Sequence, residues 1–118
     1  MPTEPILDAD TIDALRSYET DGLITLKELF ETFQDDMTLR AKAITEALQQ
    51  SNLAKLEQSA HALKSAAGNV GAFKIRDICQ QLEDLGRSDT VAGTAELFEV
   101  LTTEIPKVEQ ALKNLISP

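Results

Sequence analysis

The side chain best suited to chemistry is His61, the only histidine in the 118-residue chain. A neutral imidazole nitrogen is a nucleophile near pH 7 and can attack a phosphorus atom. Lys64 follows one helical turn later, where its ammonium group could offset charge on phosphoryl oxygens. No second histidine or paired cysteine lies at metal-ligand spacing. The residue types allow phosphoryl transfer to His61, and they equally allow an ordinary surface histidine.

A helix over about residues 53–70 is predicted to hold His61 on an exposed face. At about 100° per residue, the apolar positions of this stretch share one side. They are Leu56, Ala60, Leu63, Ala67 and Val70. His61 points away from the centre of that side, toward solvent. Lys64, Ser65 and Gly68 share the side of His61, and small residues there leave room for a second protein to approach the ring.

A second helix, predicted over about 72–85, brings more polar side chains to the level of His61. Gly71 is placed to end the first helix, because glycine tolerates the left-handed backbone common at helix C-termini. The short reversal makes the two helices antiparallel neighbours, with His61 level with about Gln81. The candidates within one turn that could orient the imidazole are Gln80, Glu83 and Asp84. Arg87 could reach toward the same place if the helices cross.

The apolar periodicity predicts an all-α fold, an antiparallel four-helix bundle with one or two short additional helices. The helical stretches cover about 8–18, 24–50, 53–70, 72–85 and 91–116. Asp35 and Asp36 leave open whether 24–50 is one helix or two. Gly86 suits the end of the fourth stretch. Pro106 lies inside the last apolar stripe and predicts a bend rather than a stop.

Composition indicates a single domain over 1–118, with 1–7 as a flexible N-terminal lead. Cys79 is the only cysteine, so no intrachain disulfide can form. No apolar run approaches the roughly 20 residues that span a bilayer. The N-terminus also lacks the basic and apolar regions of a signal peptide. These features predict a cytoplasmic protein that is not bound to a membrane.

The charge of the chain is strongly negative and unevenly distributed. Eleven basic and 20 acidic residues give a net charge of −9, which argues against nucleic acid or an anionic membrane as a partner. Residues 53–87 carry five bases and four acids, a net charge of +1, so the remainder carries −10. A phosphoryl group or an acidic pocket on a partner meets the least repulsion near His61.

The motif around His61 resembles the signature of histidine-containing phosphotransfer (HPt) domains. The matching residues are His61-Ala62-Leu63-Lys64, a small residue at Ser65, and Gly71 ten positions after the histidine. Residues 79–87, Cys-Gln-Gln-Leu-Glu-Asp-Leu-Gly-Arg, resemble the next helix of the family, which often ends in Leu-Gly-Arg. The match is densest over about 53–87. Ser65 departs from the glycine of many members, but serine is also small.

The resemblance implies a phosphorelay intermediate. His61 would accept a phosphoryl group from the aspartyl phosphate of a response-regulator receiver domain and pass it to another receiver aspartate. Lys64 would be the electrostatic helper, Ser65 and Gly68 would keep the approach open, and Gly71 would shape the helix end. In the family the aspartate and its Mg²⁺ belong to the partner. The resemblance therefore implies a phosphocarrier without kinase activity or a cofactor of its own.

Two other functions remain as alternatives from the residues alone. A helical adapter would bind a signalling partner without carrying phosphate. A small hydrolytic enzyme is less favoured, because no acid–base pair flanks a visible pocket.

The partners that the resemblance implies are receiver domains and a hybrid sensor histidine kinase. The residues do not identify them, and a free-standing protein and a piece cut from a hybrid kinase would look the same.

Overall fold

The computed structural model describes residues 6–20, 26–88 and 92–116, and within them the chain forms five helices and no strand. The helices are α1 (Ala9–Thr20), α2 (Leu26–Gln49), α3 (Leu53–Asn69), α4 (Phe73–Arg87) and α5 (Thr94–Ile116). Helix α3 packs between α2 and α4, and α5 closes the bundle against α4 and α2. The shorter α1 packs on α2. The predicted four-helix bundle with a short additional helix is confirmed.

Helix α2 is continuous, which answers the question left open at Asp35 and Asp36. Asp35 is exposed, and the Asp36 carboxylate pairs with Arg40 one turn later at 3.3 Å. Both acids therefore lie on the solvent side of a single helix, where they do not interrupt it. The opposite side of α2 is buried and supplies Phe30, Phe33, Met37 and Ile44 to the core.

Side-chain caps hold the starts of α1 and α3. Asp8 Oδ2 accepts hydrogen bonds from the backbone N–H of Thr11 at 3.2 Å and from its hydroxyl at 2.6 Å. Asn52 Oδ1 accepts one from the N–H of Lys55 at 3.0 Å. Each side-chain oxygen satisfies a backbone donor that has no partner within its helix. These caps determine where α1 and α3 begin.

Gly71 ends the turn after α3, as predicted, with a φ of +74°. The Ala72 N–H returns to the Ala67 carbonyl at 2.9 Å, which closes the turn. The Gly71 carbonyl also accepts a hydrogen bond from the Asp8 N–H at 2.8 Å. A Cβ atom at Gly71 would lie 2.9 Å from that nitrogen. Glycine is therefore needed both for the backbone angle and for the close approach of the segment before α1.

The prediction that Gly86 ends the fourth helix is wrong, because α4 continues to Arg87. Gly86 is buried inside the helix. A Cβ there would lie 2.9 Å from the Leu53 carbonyl oxygen and 3.0 Å from the Glu57 nitrogen. The missing side chain thus allows the backbones of α3 and α4 to approach closely at this level.

The ends of the chain differ in part from the predicted bounds. Helix α5 begins at Thr94 and continues through Pro106, so the proline does not stop it. Residue 91, its predicted start, lies outside the described residues. The same holds for 1–5 of the predicted lead over 1–7, while Ile6 and Leu7 of that lead are partly buried against the core. Across the described ranges, none of the helices is long and apolar enough to cross a membrane.

Candidate functional site

His61 lies on the exposed face of α3, as the helical spacing predicts. Its side chain is 60% exposed. The apolar positions of the same helix are all buried in the core: Leu56, Ala60, Leu63, Ala67 and Val70. Burial of that face against α2 and α4 fixes the rotation of α3. The imidazole is consequently presented to solvent.

The imidazole is held from α4 by the carboxylate of Glu83. His61 Nδ1 lies 3.2 Å from Glu83 Oε2. Of the three candidates at this level, the structure brings Glu83 into hydrogen-bond distance of the ring. Gln80 Nε2 instead donates to Asp84 Oδ1 at 2.9 Å. Among the described residues, the other ring nitrogen, Nε2, has no hydrogen-bond partner.

Glu83 is a buried carboxylate surrounded by cationic groups. Its side chain is 5% exposed, and Lys64 and Arg87 approach it at 2.7 Å and 2.8 Å. The bond with Lys64 is the main cause that lowers the pKa of Glu83 below its ordinary value, with a further contribution from His61 and an opposing one from burial. Glu83 is therefore ionised near neutral pH, because its partners outweigh the cost of desolvation.

The ammonium group of Lys64 is bound on the protein surface rather than free in solvent. Its Nζ lies 2.7 Å from Glu83 Oε1 and donates to Gln80 Oε1 at 3.0 Å. Only 22% of the side chain is exposed. The structure thus brings Lys64 and Gln80 into the network around His61 that the spacing predicted. The role of Lys64 as electrostatic helper stays a prediction.

Arg87 reaches the same network from the last turn of α4. Its guanidinium contacts Glu83 at 2.8 Å, Asp84 at 3.8 Å and Glu57 on α3 at 4.0 Å. Sequence reasoning missed Glu57, although its position four residues before His61 places the two on one face of α3. Arg87 therefore connects both helices beside the imidazole.

The small residues beside His61 border an open groove. Ser65 is exposed, and its hydroxyl donates to the His61 carbonyl at 3.2 Å. Gly68 lies next to Arg76, whose Cδ would be 3.8 Å from an added Cβ. The groove has a volume of about 420 Å³ and is lined by Lys64, Ser65, Gly68, Arg76, Asp77 and Gln80. Gly71 lies away from this groove at the helix end. Arg76 was not predicted from the sequence.

A model of the Hpt domain matches residues 28–114 of the chain. The chain belongs to the Hpt domain family. A solved structure, histidine-containing phosphotransfer protein B (HptB) from Pseudomonas aeruginosa PAO1, is similar in fold with a TM-score of 0.86. The two sequences are 26% identical, and the alignment covers 95% of each chain. No curated protein matches the sequence.

Membership in the Hpt family confirms the resemblance recognised around His61. The match covers α3 and α4 in full, so the residues bound to Glu83 all lie within the Hpt region. The family and the HptB structure support a role in histidine phosphotransfer within phosphorelays, where Hpt domains are phosphocarriers that interact with receiver domains and kinases. Within the described part of this Hpt domain, no cluster of three or more His, Cys, Asp or Glu side chains could hold a metal ion.

The network of this Hpt domain favours one form of the imidazole. A carboxylate only accepts hydrogen bonds, so the proton of a neutral His61 ring belongs on Nδ1, where it is donated to Glu83. The lone pair is then on Nε2. In that tautomer Nε2 is an acceptor without a hydrogen-bond partner in the described part of the chain, and the Glu83 anion lies beside Nδ1.

Proposed function

We propose that His61 is the phosphoryl acceptor and donor of a phosphorelay. One observation carries the proposal: an exposed imidazole has Nδ1 bound to the buried carboxylate of Glu83, while Nε2 has no described partner. An ordinary surface histidine needs no such anchor. The buried anion fixes the ring and the tautomer at the same time.

The transfer step follows from this geometry. The Nε2 lone pair attacks the phosphorus of an aspartyl phosphate on the partner, and an N–P bond forms. The bond between phosphorus and the aspartyl oxygen breaks, and its electron pair leaves with the aspartate as a carboxylate. His61 keeps the proton on Nδ1, so its ring becomes positively charged, and the Glu83 carboxylate stabilises that ring charge. The reverse step passes the phosphoryl group to a second aspartate.

Lys64 and Arg87 are placed to balance the charge during transfer. In the unphosphorylated protein both cations are bound to Glu83. A phosphoryl group on Nε2 adds negative charge beside them and competes for the same donors. We infer that Lys64 and Arg87 share their hydrogen bonds between Glu83 and the phosphoryl oxygens once His61 is phosphorylated.

The partners of this function are receiver domains and a hybrid sensor histidine kinase. An open surface suits them, since Ser65 and Gly68 put no bulk beside the imidazole. The partner would supply the aspartate and the Mg²⁺ of the reaction, and this chain would supply the histidine. The similarity in fold to HptB, a histidine-containing phosphotransfer protein, supports this division.

The test is phosphoryl uptake from a phosphorylated receiver domain. We expect an acid-labile, alkali-stable label on the wild type and none on His61→Gln. A second variant, His61→Gln with Gln58→His, moves the imidazole to another exposed position of α3, three residues before His61. It should also stay unlabelled, because the anchor is missing.

Two results would contradict the proposal. A label on the relocated histidine would show that exposure alone is enough and that Glu83 has no part in the reaction. An unlabelled wild type with several receivers, together with binding that survives His61→Gln, would leave the helical adapter as the function.

A further inference from the structure

A second groove lies between α4 and α5, and it shares Asp77 with the groove beside His61. Its volume is about 660 Å³, which is in the range of roughly 300–1,000 Å³ that ligand sites occupy. The acidic side chains that line it are Asp77, Glu96, Glu99 and Glu104, and the basic ones are Lys74 and Lys107. The groove is therefore net acidic, and three of its four acids come from α5.

The carboxylate of Glu104 is the unusual feature of this groove. The residue is 4% exposed, and its Oε1 is buried without a hydrogen-bond partner in the described part of the chain. Its Oε2 lies 3.9 Å from Nζ of Lys107, a long ion pair. A buried carboxylate with so few bonds destabilises a fold. Glu104 is thus poorly explained by the stability of the bundle alone.

Apolar surface lies beside these acids. Val100 is 51% exposed on α5, and Ile78 lines the groove from α4. A ligand that fits both surfaces has a cationic end and an aliphatic stem. Arginine has this form, and its planar guanidinium donates two parallel bonds to a carboxylate and loses less hydration than an ammonium group.

We propose that the groove between α4 and α5 is a docking site for an arginine-bearing segment of a partner protein. The guanidinium pairs with Glu104 and Glu99, and the stem packs on Val100. The site adds a second point of attachment to the protein, apart from the phosphoryl-transfer surface of His61. It does not depend on the proposed function, because none of the residues bound to Glu83 takes part.

The first experiment uses acetyl-arginine amide as the probe, titrated into the isotope-labelled chain and followed by two-dimensional NMR. We expect saturable shifts confined to amides of the groove, with a Kd in the millimolar range, as is usual for so small a ligand. Acetyl-citrulline amide has the same shape without charge and should not bind. Equal binding of the two probes, or no saturable binding of the arginine probe, overturns the proposal.

Matched variants locate the contact. Glu104→Gln should weaken binding about tenfold, as expected for the loss of a bond to a charged group. Glu99→Gln, at an exposed position, should also weaken binding of the arginine probe. It provides the test if Glu104→Gln folds poorly. Glu31→Gln, an exposed acid on α2, should leave the affinity unchanged. Wild-type affinity in both groove variants would overturn the proposal.

The stability of the Glu104→Gln variant distinguishes a docking role of Glu104 from a structural one. The melting temperature of Glu104→Gln should equal or exceed that of the wild type, because an amide is buried at a lower cost than a charge. A fall of several degrees would show that Glu104 serves the fold and would overturn the proposal. Phosphoryl uptake at His61 should be unchanged in this variant, so the failure of either proposal can be told from the failure of the other.

Discussion

Replacement of Glu83 by glutamine removes the central charge of the histidine network while keeping its shape. The contact with Lys64 is the best covered, since that side chain is 22% exposed, and its loss costs about 1.5–3 kcal/mol. Arg87 is 60% exposed and keeps its contact with Asp84, so the loss of its contact with Glu83 costs about 0–1 kcal/mol. The lower cost of burying an amide offsets part of this loss. We expect a net destabilisation of about 2 kcal/mol.

Urea unfolding measures this change. With a slope of about 1–3 kcal/mol per molar urea, the midpoint of Glu83→Gln should fall by about 1 M. Asp84→Asn is the matched control, because Asp84 is the next residue and its side chain is 55% exposed. Its stability should change by less than about 0.5 kcal/mol. A Glu83→Gln protein as stable as this control would refute the reasoning from burial and charge.

The same variant has an expected effect on pH dependence. The folded pKa of Glu83 is lowered from 4.5. Its ionisation therefore stabilises the fold above that ordinary value, and this stabilisation is lost as the pH falls through the lower folded pKa. The difference in unfolding free energy between wild type and Glu83→Gln should shrink in that acid range. A difference that stays constant there would show that the carboxylate charge is not the cause.

Phosphoryl uptake should also slow in Glu83→Gln. An amide oxygen still accepts the Nδ1 proton, but it does not compensate the positive charge that develops on the ring. We expect a rate about 10–100-fold lower, the usual cost of removing a group that orients and polarises a functional imidazole. Transfer from a phosphorylated receiver, followed over time, measures the rate. A rate within twofold of the wild type would contradict the role proposed for Glu83.

Two further predictions concern the packing of α4. Gly86→Ala should destabilise the fold by about 1–2 kcal/mol in urea unfolding, because the added methyl group meets the backbone of α3. This overpacking outweighs the gain in helix propensity. A more stable variant would contradict the close approach of the two helices. Cys79 is buried, and burial raises the pKa of its thiol to about 12, so a thiol reagent should react slowly with the folded chain at pH 8 and rapidly in urea. Rapid reaction of the folded chain would show that the helix opens more readily than its burial indicates.

The exposed position of His61 could be predicted from the sequence because a long apolar stripe defines the rotation of α3. The partner of the imidazole could not be predicted in the same way. Gln80, Glu83 and Asp84 all lie within one turn of its level, and a rotation of α4 by one residue, about 100°, decides which one faces the ring. That rotation depends on how α4 packs against α3.

The close approach of α3 and α4 at Gly86 could also not be predicted from the sequence pattern. A glycine near the end of an apolar stripe favours a helix end, and only the backbone of the neighbouring helix shows why α4 continues. The burial of Glu83 depends on the same neighbour, because a charged residue on its own indicates an exposed position. Features that involve one helix were predictable, whereas features that depend on the distance between two helices were not.

The residues joined to the imidazole lie in one stretch of chain, from Glu57 to Arg87, within a hairpin of two helices connected at Gly71. Contacts between residues close in sequence require only short loops to close, so they cost little chain entropy and form quickly. We therefore expect the polar contacts of the site to form early, together with the hairpin of α3 and α4. The packing of α2 on α3 then completes the core and fixes the rotation that exposes His61.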